Sequence, residues 1–277
     1  AGDFTVRNGG CLWTSAGITN ADFPCFVFDL DVGNTLQLTS GGLFWPESHP
    51  TNVNCGAMRI TARDVVVDAG ARMDGMGRGF QIAKQAGIRG FGPGGAAGMV
   101  GASHAARGGT GYSYNVANFG PVYGCSNAPV SYGSAGGNVN NGGYRGGHGG
   151  SQLWVETARD IRIDGTVTVN GQRGNQEGGG GSGGSLYLRG RRLEGAATGE
   201  VTANGGAGSM ANAWGAGGGG GAGGYIAIHT RLPPAFEGVV TAAGGVAFIS
   251  APINNCGGDG SVVWRLIPAS GTILLMR

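Results

Sequence analysis

The chain has 277 residues, 63 of them glycine; charged residues make up 12% and the formal net charge is +2. Charge this sparse, with no basic run and no acidic tail, gives no reason to expect nucleic acid as a partner, and no stretch reaches the ~18 consecutive apolar residues a membrane-spanning helix needs. Glycine at this level means disorder or a periodic backbone. The 40% of hydrophobic residues, set in short clusters between the glycines, argue for the periodic backbone, and no persistent Gly-X-Y register marks a collagen.

Residues 1–56 are the poorest in glycine and hold Cys11, Cys25 and Cys55; Cys125 and Cys256 follow far downstream. This first segment reads as an N-terminal cap containing disulfides. Five cysteines predict two disulfides and one leftover thiol in an oxidising compartment, with buried free thiols as the alternative. The wide spacing lacks any CxxC pair, so neither a zinc site nor any cofactor is expected.

From residue 57 to 277 the chain repeats itself. TARDVVVD at 61–68 recurs as TARDIRID at 157–164, a shift of 96, and the agreement continues without a gap to Gly75 and Gly171. Gly149-Gly150-Ser151 recurs as Gly183-Gly184-Ser185, a shift of 34, and looser copies follow near residues 223 and 257. Each unit runs from a glycine tract into an alternating strand (153–155, 186–188, 225–228), through a turn to a second strand (161–163) and on to a third (167–169, 201–203, 240–242). Short β-branched runs of period two, bounded by Gly, Asn and Asp, are strands. One unit cannot bury its own apolar face, but stacked units can. The expected fold is therefore all-β, a right-handed parallel β-helix or solenoid, with a β-sandwich or propeller as the alternative. The tracts at 142–150, 178–184 and 217–224 recur in register, and glycine falls at every third position in the first of them. They are expected to be ordered segments of the polyglycine-II type rather than linkers.

A long loop insertion occupies residues 76–145, rich in aromatic residues. Tyr112, Tyr114, Phe119, Tyr123 and Tyr132 are its candidate ligand-binding residues, because aromatic side chains among Gly and Ser make adaptable contact surfaces.

The run GGGGSGGSLYL at 178–188, with VTANGG at 201–206 and YIAI at 225–228, resembles the glycine-rich repeats of large secreted bacterial surface proteins. The resemblance covers about residues 57–75 and 149–264. It implies a secreted, extracellular or cell-surface location and a β-solenoid, and transfers no catalytic residues.

No catalytic constellation is expected. Asp64 with Asp68, and Asp160 with Asp164, recur at equivalent repeat positions, as structural turn residues do, whereas an active site would break the repeat. The serine in Gly180-Gly181-Ser182-Gly183-Gly184 matches GxSxG only formally, without the strand–elbow–helix context. His49, His104, His148 and His229 are isolated, so no metal site is expected. The chain reads as a non-enzymatic structural protein that associates with itself in a filament, sheath or surface layer, with the apolar run 272–276 as a candidate docking strand. The alternative is an adhesin that binds cell-surface glycans through the Tyr-rich insertion. A polysaccharide-active β-helix enzyme ranks below both, and an ice-binding surface is set aside for want of a regular threonine ladder.

Overall fold

A computed structural model describes residues 2–21, 25–83, 89–112, 118–139, 146–210, 216–248 and 255–268. Six strands precede the insertion: β1 (Phe4–Val6), β2 (Cys11–Ser15), β3 (Phe26–Leu38), β4 (Leu43–Glu47), β5 (Ala57–Val67) and β6 (Arg72–Asp74). Three units of three strands follow it. They are β7 (Gln152–Thr157), β8 (Asp160–Ile163) and β9 (Thr166–Thr168); β10 (Ser185–Gly190), β11 (Arg192–Gly195) and β12 (Glu200–Thr202); and β13 (Tyr225–Thr230), β14 (Ala235–Phe236) and β15 (Val239–Thr241). A last strand, β16 (Ser261–Leu266), opens a further unit.

Repeat-equivalent strands lie side by side, and every ladder between these strands is parallel. The 96-residue shift reappears as the register Val65↔Ile161, and the 34-residue shift as Val167↔Val201. Alternation then decides which side chains go inward. Leu153 and Val155, Leu186 and Leu188, and Ile226 and Ile228 stack through one core with Val167 and Val201 from the facing sheet. Each such side chain, taken wholly out of water, contributes about 1.5–3 kcal/mol.

The expected right-handed β-helix is corrected by the sheet topology. The strands collect into two sheets, in the orders β14-β11-β8-β5-β7-β10-β13-β16 and β15-β12-β9-β6-β4-β2. The larger has ten strands, with β3 and β1 joining beside β5, and curls as a half-barrel. Strand β5 runs through both the first and second strand positions of a unit, pairing β7 with residues 59–62 and β8 with residues 65–67. First- and second-position strands thus merge instead of forming separate solenoid faces. The physical reason lies in how each unit is divided. Its glycine tract has no side chains to place against a strand core, so it leaves the strands and joins a layer of its own.

That layer is held by backbone hydrogen bonds in three directions. In the tract at residues 179–184, Gly179 N and Ser182 N donate to Gly137 O and Ser134 O of the insertion. Gly180 N and Gly183 N donate to Gly219 O and Ala222 O of the next tract, and Gly181 N and Gly184 N to Gln172 O and Val169 O. Each direction recurs every third residue, as it must for an extended helix whose successive groups point about 120° apart. Chains bonded on three sides approach too closely for side chains. A Cβ on Gly181 would collide with His148 O, and one on Gly101 with Gly220 O.

Residues 1–56, read as a cap, extend both sheets: β3 pairs β5 along most of its length and β4 pairs β6. The insertion is not a free loop either. Ala102 and Gly109 bond into the tracts at residues 180 and 220, and Gly133, Gly136 and Gly137 into those at 147–150 and 179.

Candidate functional site

The predicted aromatic set does not come together as one surface. Tyr112 is exposed, with its backbone N–H donated to Gly217 O. Tyr114 lies outside the described residues. Phe119 sits under the Arg107 guanidinium, 3.6 Å from the ring centroid. The Tyr123 hydroxyl donates to Tyr132 O at 2.5 Å and lies 2.7 Å from Ser134 Oγ. Tyr132 is buried, donates its hydroxyl to Gly56 O at 2.9 Å, and meets the Phe80 ring edge-on. Burial pushes both phenols well above their ordinary range. Tyr123 and Tyr132 are thus pins that fasten the insertion, with their polar ends turned to protein.

His104 completes that fastening. Its Nδ1 lies 2.6 Å from Gly183 O, which assigns the ring proton to Nδ1, and its Nε2 accepts from the Ser131 hydroxyl at 2.7 Å. Tyr123 and Tyr225 flank the ring at 4.5 and 5.0 Å. The pair has the composition of a nucleophile and its base. Desolvation, however, lowers the imidazole to about 4, and Nδ1 faces a carbonyl instead of a carboxylate, so the ring is a poor base near neutrality.

The five cysteines form no disulfide, against expectation. Cys11, Cys25, Cys125 and Cys256 are exposed, and Cys55 is half-buried with its sulfur accepting from His49 N at 3.2 Å. Burial raises the Cys55 thiol, while backbone N–H groups of Ala128 and Asn127 lower that of Cys125. The paired carboxylates are structural. Asp64 accepts from Asp160 N, Asp68 from Gln37, and Asp164 from Ala196 N and Arg162; Asp160 pairs with Arg191. Among the described residues no three His, Cys, Asp or Glu side chains gather as a metal site. No helix there is long and apolar enough to cross a membrane.

Three features escaped sequence reasoning, because only strand pairing shows which residues lie side by side and which are left open. The outer face of the larger sheet carries an aromatic row. Trp154 and Tyr187 stack at 3.6 Å, with Phe26 edge-on to Trp154 at 5.3 Å and His229 edge-on to Tyr187 at 5.0 Å. The outer face of the smaller sheet carries the threonine ladder the sequence did not reveal, with Thr168, Thr202 and Thr241 in register and Thr202 Oγ1 donating to Thr168 Oγ1 at 2.9 Å. Thr168 and Thr202 are buried, so their hydroxyls serve each other and not solvent.

The third feature is the open end of the stack. By register Val262 and Trp264 of β16 continue the inward rows of Ile226 and Ile228. Those isoleucines are fully buried, whereas Val262 and Trp264 are 37% and 45% exposed. Leu266, Val239, Val246 and Phe248 are exposed as well. At the opposite edge of the smaller sheet, β2 leaves Trp13 65% exposed.

These features define an all-β protein of two parallel sheets joined to a hydrogen-bonded glycine layer. Comparison with protein-family models, with curated proteins and with solved structures found no match.

Proposed function

We propose that the protein is an extracellular structural subunit that joins copies of itself end to end. The observation that carries this reading is the inversion of exposure along β16, where the inward positions Val262 and Trp264 are left open although their equivalents one strand earlier are sealed. An unpaired strand edge with an apolar row is a template for another strand. The occupant that suits it is a second copy, since β2 offers an exposed edge with Trp13 at the other end of the stack. A contact between two different ends does not close on itself and propagates as a filament. The predicted docking strand at 272–276 lies outside the described residues.

A secreted location accords with the scarcity of charge and the resemblance to bacterial surface repeats. The adhesin reading through the insertion loses support, because Tyr123 and Tyr132 are consumed internally.

Negative-stain microscopy and sedimentation of the purified protein test the proposal. Filaments that lengthen with concentration, and are abolished in a Val262→Arg/Trp264→Glu variant that keeps its melting temperature, are the expected result. Monomers at every concentration, or filaments indifferent to that variant, would overturn it.

A further inference from the structure

Four successive units carry arginine at one equivalent position, within β5 in the first and just after the first strand in the other three. Arg63, Arg159, Arg191 and Arg231 stand in succession where the first strand position passes into the second. Their backbones are bonded in a ladder, with Arg159 N donating to Arg63 O at 2.8 Å, Arg191 N to Arg159 O at 2.5 Å and Arg231 N to Arg191 O at 3.0 Å. All four side chains are exposed. Neighbouring strands lie about 4.8 Å apart, so four like charges are stacked at that spacing, an arrangement that is unfavourable without counter-charge. Counter-charge is present for half of them. Arg191 pairs with Asp160, and Arg63 lies 3.8 Å from Asp64. Arg159 and Arg231 form no ion pair among the described residues, which leaves an available guanidinium on alternate rungs, about 10 Å apart.

A second row runs beside the first on the adjoining strands. Glu156, Arg189, His229 and Arg265 are in direct register. Arg189 pairs with Glu156 at 3.4 Å. His229 is buried, its Nδ1 lies 3.2 Å from the Tyr187 hydroxyl, and its Nε2 has no hydrogen-bond partner among the described residues. An open groove of about 320 Å3 lies along this corner, with Thr61, Glu156, Thr157, Arg189 and Arg231 among its lining.

We propose that this corner is a binding site for a linear acidic polysaccharide, its carboxylates held by Arg159 and Arg231. Guanidinium groups fork onto carboxylates with two parallel hydrogen bonds. The rows are repeated and open along the sheet, which suits an extended polymer, whereas a small ligand needs an enclosed cleft. Glu156, Asp64 and Asp160 stand among the arginines and would repel a densely charged polymer such as duplex DNA, which carries a charge about every 1.7 Å. The site lies on the flank of the stack and does not depend on end-to-end association.

Calorimetric titration with polygalacturonate, repeated with its methyl ester and with inorganic polyphosphate, tests the proposal. Polygalacturonate should bind, the methyl ester should not, and polyphosphate should bind more weakly. An Arg159→Gln/Arg231→Gln variant should lose at least tenfold in affinity at unchanged melting temperature. An Arg7→Gln/Arg173→Gln control, with the same loss of net charge, should bind as before. The proposal is overturned if polygalacturonate does not bind, if the two variants weaken binding equally, or if polyphosphate binds as well or better.

Discussion

The ring nitrogen Nδ1 of His104 lies 2.6 Å from the backbone oxygen of Gly183, bonding a side chain of the insertion to the middle of a glycine tract. The other ring nitrogen accepts from Ser131, so the neutral imidazole satisfies both neighbours at once, and protonation would set an N–H against a hydroxyl already donating to it.

Stability should therefore fall with acid. The imidazole's value is about 4 in the folded protein and 6.5 when unfolded. Its contribution is fully present above pH 6.5 and is lost as pH falls from there to about 4, on the order of 3 kcal/mol in all. Burial also lowers His148 and His229, which adds loss of the same sign. Urea unfolding at pH 7.5 and pH 4.5 checks this. A His104→Gln variant should be the less stable at pH 7.5 and approach the wild type at pH 4.5, and parallel curves would refute the assignment.

Glycine in the layer is required by space. Gly181→Ala places a methyl group against His148 O, and the surrounding chains are bonded on three sides and have no room to yield. A cost of about 3 kcal/mol is expected, seen as a drop of about 10 °C in melting temperature. Gly17→Ala, at a position with nothing within 4 Å, should leave the melting temperature within a degree or two or raise it slightly.

Asparagine side chains tie successive units together. Asn170 Oδ1 accepts from Asn204 N at 2.6 Å, and Asn204 Oδ1 accepts from Ala243 N at 2.7 Å. Asn204→Ala should cost about 0.5–1.5 kcal/mol, the net worth of the lost bond to the exposed Ala243 N–H. Asn204→Asp, which keeps an acceptor, should cost less, and equal losses in a chemical denaturation series would contradict this account.

Much of the strand arrangement was legible because register is a periodic signal. The recurrence of residues 61–68 at 157–164 marks strands that become neighbours, and Leu186 and Leu188 announce their inward face by alternation alone. Closure of the sheets was not legible. It depends on β5 continuing through Ala62 to Asp64, where the later units turn at Ala158 and Arg159, and TAR is spelled identically in both places. The surroundings of Tyr123 and Tyr132 were not legible for a related reason. Composition identifies an aromatic side chain, but whether its hydroxyl faces solvent, as a binding surface requires, or Gly56 O, as Tyr132 does, is decided by a partner 76 residues away. Strand pairing, which composition does not show, is what places Arg159 and Arg231 on one line.

The glycine layer also sets how the molecule bears load. A sheet is stiff along its strands and is held sideways by hydrogen bonds in a single plane, so force out of that plane meets only side-chain contacts. A lattice bonded in three directions has no such weak axis. Pulling any one tract free means breaking bonds to the insertion, to the next unit and to its own unit together, so the layer resists shear and peeling alike, a mechanical property suited to a body exposed to force from every side.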